Sequence, residues 1–146
     1  MITRTDVEIE ASPSAVWDIY ADVERWPDWT ASIKSVVGLD GPEIAVGHRF
    51  EIRQPRFPKL VWVVTAVEPG VSWTWQQKSF GGTTVASHEL MSTGSRTIVG
   101  QRIEQRGPIG VTVGLMIRRL TKRYLTMEGD GLKARVEQLR TDVASA

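Results

Sequence analysis

The chain has 146 residues, 24% of them charged, a formal net charge of +1 and no cysteine. That length suits a single domain over residues 1–146 with a closed core, and the lack of cysteine excludes a disulfide framework, a thiolate metal site and a cysteine nucleophile. His48 and His88, the only histidines, cannot make a zinc site without carboxylates; no apolar run approaches the roughly 20 residues of a membrane-crossing helix, and MITRTDVEIE lacks a signal peptide's apolar stretch, so a soluble, cytoplasmic protein is expected.

The opening ITRTDVEIE places Val7 and Ile9 on one side and Asp6, Glu8 and Glu10 on the other, the period of two of a half-buried strand. Ser12 before Pro13 then reads as a helix N-cap followed by the one residue that needs no amide hydrogen in the first turn. Val16, Ile19, Tyr20 and Val23 continue at helical spacing. Pro27 is expected to push Trp26 out of helical conformation, leaving a short second helix or turn to carry Trp29.

Residues 32–106 read as six strands, SIKSVVGLD, HRFEIRQ, KLVWVVTAVEP, VSWTWQQK, TTVASHELMS and SRTIVGQRIEQR, separated by Gly and Pro turn signals. Short connections mean hairpins, so with the first strand an antiparallel sheet of seven strands is expected. Gly107-Pro108 opens one long amphipathic helix, with Ile109, Val113, Met116, Ile117, Leu120, Tyr124 and Met127 sharing a face. Leu132, Val136 and Leu139 are rotated from that face, which suggests a bend near Gly129 and Gly131 or two halves facing different things; Gly131 either leaves room for a ligand or permits close packing.

A sheet of this size needs one face covered, and only the last helix is long enough to cover it. One helix cannot fill a curled sheet, and the space left over is a natural ligand cavity. Alternation turns Trp73, Trp75 and Gln77 inward, with Thr97, Val99, Gln101, Ile103 and Gln105 on the last strand; His88 is placed inward with Thr84, Ala86 and Leu90. Trp62 lies on a strand apolar on both faces, and its side stays open.

The stretches VEIEASPSAVWDIYADVERWPDW, SHELMSTGSRTIVGQRIEQRGPIG and GLKARVE resemble the START-type helix-grip superfamily, also called SRPBCC or pollen-allergen-like, and within it the polyketide cyclase/dehydrase-like proteins. The resemblance spans nearly the whole chain. It implies an α+β helix-grip fold: a seven-stranded curled antiparallel sheet around a long C-terminal helix, with two short helices between strands 1 and 2. It also implies a small hydrophobic, aromatic or polyketide-like ligand and, in an enzyme, cyclisation or dehydration without metal or nucleotide cofactor. A non-enzymatic lipid or quinone carrier of the same fold is the alternative.

His88 is the candidate catalytic residue, because an imidazole in an apolar cavity exchanges protons near neutral pH; a strand histidine bonded to a neighbour is the competing reading. The candidate ligand-binding residues are Trp73, Trp75, Gln101, Val99, Ile103, Val113, Ile117, Leu120 and Tyr124, with Gln101 and Tyr124 available to orient a carbonyl or enol oxygen. Trp17 and Trp29 are expected to anchor their helices, and Trp26 to lie on the surface or at the cavity mouth. RRLTKR, residues 118–123, reads as the solvated side of the helix, with anionic lipid or an acidic partner as the other reading. Residues 1–46 carry 3 bases and 9 acids, 47–106 carry 8 and 4, and 107–146 carry 7 and 4. Without a longer basic run, no nucleic-acid partner is expected. No integral membrane association is expected either, and the chain is read as a monomer or homodimer.

Overall fold

The computed structural model describes residues 1–79 and 81–145. Strand β1 (Ile2–Ile9) leads into helix α1 (Pro13–Tyr20) and a 3₁₀ helix (Val23–Asp28). Six strands follow: β2 (Ser35–Gly38), β3 (Arg49–Arg53), β4 (Leu60–Glu68), β5 (Ser72–Ser79), β6 (Gly82–Ser92) and β7 (Thr97–Arg106). Helices α2 (Pro108–Met116) and α3 (Arg118–Ser145) complete the fold. The seven strands form one antiparallel sheet in the order β1-β7-β6-β5-β4-β3-β2.

Local chemistry explains the first elements. The Ser12 hydroxyl accepts from the Ala15 amide at 3.3 Å and Pro13 sits in the first turn, so α1 starts where the sequence indicates. It stops at Tyr20, and Val23 belongs to the next element. Against expectation, Trp26 and Pro27 lie inside the 3₁₀ helix, and Trp26 is only 1% exposed. Its bonds from the Arg25 amide to the Asp22 carbonyl and from the Trp29 amide to the Trp26 carbonyl do not use the proline nitrogen, so Pro27 is tolerated. The indole of Trp26 points inward, donating to the Tyr20 carbonyl at 2.8 Å and stacking on the Tyr20 ring.

Register organises the concave face into rows. Gln77, Thr84 and Gln105 form a polar row across β5, β6 and β7; Val64, Trp75, Ala86, Ile103 and Thr3 form the next; Trp73, His88, Gln101 and Thr5 the third. A bulge between Val64 and Ala66 resets β4, and Trp62 is buried on the concave side beside Trp75.

The C-terminal helical run breaks at Ile117 (φ −105°, ψ 13°) rather than near Gly129 and Gly131, through which α3 continues uninterrupted. A Cβ on Gly131 would lie 2.2 Å from the Trp29 carbonyl oxygen, so this glycine is there for close packing against the chain after the 3₁₀ helix. The buried side of α3 is Tyr124, Leu125, Glu128, Leu132 and Val136, while Met116 is exposed and Leu120 and Met127 are half-buried. At about 100° per residue this side lies roughly a quarter turn from the expected stripe. Leu132 and Val136 are then in phase with the residues before them.

Candidate functional site

Between the sheet and the C-terminal helices lies a cavity of about 310 Å³. The sheet supplies Trp62, Trp75, Ala86, His88, Gln101 and Ile103, with Ala86 the small residue at the centre of its row. The helices supply Val113, Ile117, Tyr124, Leu125 and Glu128, and the β3–β4 loop contributes Phe57 and Pro58. The Tyr124 hydroxyl donates to the Pro55 carbonyl at 2.5 Å and its ring meets Phe57 edge-on, which ties that loop to α3.

Six of the nine residues expected to bind ligand line this space: Trp75, Gln101, Ile103, Val113, Ile117 and Tyr124. Trp73, Val99 and Leu120 do not. Trp73 faces inward as alternation requires, but it is 1% exposed because His88 stacks on it at 4.1 Å and Trp17 and Tyr20 pack against it edge-on. Val99 is fully buried in the core, and Leu120 falls on the flank of α3. Trp17 and Trp29 do pack as anchors around this core, whereas Trp26 is a buried wall of the cavity.

His88 lines the cavity, yet its Nδ1 faces the Trp73 carbonyl at 3.2 Å. A carbonyl only accepts, so Nδ1 carries the hydrogen and Nε2 is the ring's acceptor. Burial drives its pKa down to about 3, partly offset by that bond, so the ring is neutral near pH 7.

Glu128 is the polar residue that reading the sequence misses. It is buried on α3, lines the cavity and accepts from Gln101 Nε2 at 2.9 Å, while Gln101 Oε1 accepts from the Thr5 hydroxyl at 3.1 Å. Both ends of the Gln101 amide are therefore engaged, which fixes its orientation. Burial pushes the Glu128 pKa up to about 8 against the opposing pull of the Gln101 bond, and the carboxyl is largely protonated near neutral pH. The Tyr20 hydroxyl is buried without a partner among the described residues, its pKa raised by burial and then by Glu128. At the polar row, the side-chain oxygens of Gln77 and Gln105 are also buried and unpartnered among the described residues. The signal for Glu128 is its spacing: Thr121, Leu125, Glu128, Leu132 and Val136 form one stripe with two polar members, both in the cavity wall.

A curled antiparallel sheet closed by C-terminal helices around a largely apolar cavity is the helix-grip arrangement. The chain belongs to the family described as "Polyketide cyclase / dehydrase and lipid transport", which matches residues 2–137. Among solved structures it is similar to a START superfamily protein from Mycobacterium smegmatis, with TM-score 0.72 and 21% identity over 94% of this chain and 98% of that one. A point mutant of Thalictrum norcoclaurine synthase in complex with a transition-state analogue gives TM-score 0.76 and 15% identity over 96% of both chains. The XoxI protein of Bacillus cereus gives 0.72 and 16% over 95% and 97%. At these identities the likeness is one of fold. No curated protein sequence matches the chain.

Proposed function

We propose that the cavity binds a compact, flat, mostly apolar molecule bearing hydroxyl or keto oxygens, of the kind a folded polyketide forms, and that the chain promotes its cyclisation or dehydration. The carrying observation is the buried Glu128 carboxyl held by Gln101 in the wall of a largely apolar chamber with aromatic sides, where burial favours its protonated form near neutral pH. A neutral carboxyl donates to a carbonyl oxygen and, as an enol forms, passes it a proton while the carboxylate so formed takes up the proton leaving the α-carbon, with no net gain or loss; a histidine that is neutral because its pKa is near 3 has no such proton to give. His88 is thus a hydrogen-bond acceptor for a ligand hydroxyl, and Glu128 takes the proton-transfer role. Trp62 and Trp75 offer the flat faces. A volume of about 310 Å³ is at the small end of the roughly 300–1,000 Å³ of ligand sites, which favours a ring system over a two-chain lipid.

Tryptophan fluorescence tests this with alizarin, a dihydroxyanthraquinone, against palmitate. Saturable quenching by alizarin is expected. Glu128→Gln should weaken binding roughly tenfold, the scale of one hydrogen bond to a buried polar group, and Ala86→Leu should abolish it by filling the chamber while the protein stays folded. Palmitate binding without alizarin binding would replace this reading with the carrier.

A further inference from the structure

We propose that α2 docks this protein onto the surface of an anionic lipid bilayer. The helix is inside-out for a water-facing element. Its glycines are turned to the protein: a Cβ on Gly82 would lie 2.8 Å from the Gly110 α-carbon, and one on Gly114 would lie 3.0 Å from the Gln105 side chain. Its large side chains are turned to solvent, with Ile109 52%, Val113 45%, Leu115 60% and Met116 79% exposed. The one polar side chain, Thr112, bonds back to the Pro108 carbonyl at 2.9 Å. A contiguous apolar patch of this kind on a soluble domain calls for an apolar partner.

Charge identifies the partner. No acidic residue lies between Gln105 and Met127, and Arg118, Arg119, Lys122 and Arg123 follow α2 directly on exposed positions. Lys122 donates to the Arg4 carbonyl, while Arg118, Arg119 and Arg123 make no ion pair among the described residues. An apolar stripe beside a cationic skirt is what an interfacial helix presents to anionic lipid headgroups. A second copy of the chain is disfavoured, because a two-fold interface on this patch brings arginines against arginines. At nine residues, α2 is about 13 Å long and lies in the interface rather than spanning the bilayer. No helix among the described residues is long and apolar enough to cross a membrane. Ile109 and Val113 also line the cavity, so, on the reading of that cavity proposed above, docking sets its rim beside the acyl region.

The test is co-sedimentation of the protein, with no ligand added, with vesicles of phosphatidylcholine alone or mixed with phosphatidylglycerol. Pelleting is expected with the mixed vesicles, with much less on phosphatidylcholine and a loss in high salt. Leu115→Ser/Met116→Ser should lower the partition coefficient roughly tenfold or more, since both side chains lose their burial in lipid, without shifting the melting midpoint. Arg118→Glu/Arg119→Glu should lower the phosphatidylglycerol-dependent part by a similar factor, each cation being worth roughly fivefold near an anionic surface. The proposal is overturned if the wild type stays in the supernatant with both vesicles, or if the Leu115/Met116 variant pellets like the wild type. It is equally overturned if the patch proves to hold a dimer, or binds an immobilised polyglutamate matrix, without any vesicle binding.

Discussion

Glu128 and His88 sit in one cavity and respond to pH in opposite directions. Burial raises the Glu128 pKa from 4.5 to about 8, so the folded chain holds this proton more tightly than the unfolded one. Its contribution to stability is complete below about pH 4.5 and is lost as pH rises to about 8. Burial lowers the His88 pKa from 6.5 to about 3, so the unfolded chain takes up a proton that the folded chain does not, and stability is lost as pH falls below about 6.5. Of the two slopes, only that of Glu128 remains between pH 6.5 and about 8. The melting midpoint of the wild type should therefore fall across that window. Glu128→Gln should remove the fall and be more stable at its alkaline end by a few kcal/mol, at roughly 1.4 kcal/mol per pH unit; thermal melts of both proteins across the window measure it, and parallel curves would mean that Glu128 ionises freely.

At the scale of elements, the strands were legible and the C-terminal helices only partly so. Period-two alternation identifies the inward residues of β5, β6 and β7 because a pleated strand allows just two sides. It does not say which inward residue sits behind another, and so Trp73 looks equivalent to Trp75 until register places it under His88. In α2 and α3, a single phase carried from Ile109 to Met127 overrides the break at Ile117, leaves Glu128 on the flank and makes Leu132 and Val136 look rotated. Gly131 shows the same limit, since a glycine in a helix reads as a weakness until the Trp29 carbonyl is seen against it. Gly131→Ala should destabilise the protein by about 1–3 kcal/mol, the cost of overpacking, although alanine is the better helix former by up to about 1 kcal/mol. Chemical denaturation would show this as a lower midpoint; an unchanged or raised midpoint would mean that α3 can move off Trp29.

For the whole molecule, all six tryptophans belong to one continuous core or pack against it. That core takes side chains from α1, the 3₁₀ helix, the sheet and α3. Unfolding followed by tryptophan fluorescence and by far-ultraviolet circular dichroism should thus give one coincident transition, and separated midpoints would reveal a second cooperative unit. The sequence alone determined the order of the strands, the helical character of the two stretches that flank them and the inward faces of the sheet, because these follow from short-range periodicity and turn chemistry that each segment carries within itself, and the chamber followed from the mismatch between a seven-stranded sheet and the helix left to cover it. Only the tertiary structure decided that Trp26 is buried, that Trp73 is walled off, and that Glu128 stands protonated in the cavity with α2 turned inside-out at its rim. Those outcomes depend on strand register, on the helix break at Ile117 and on desolvation by residues far away in the chain; the spacing of Glu128 with Leu125, Leu132 and Val136 marks its side of α3, but its desolvation and the register behind Trp73 are set by other segments.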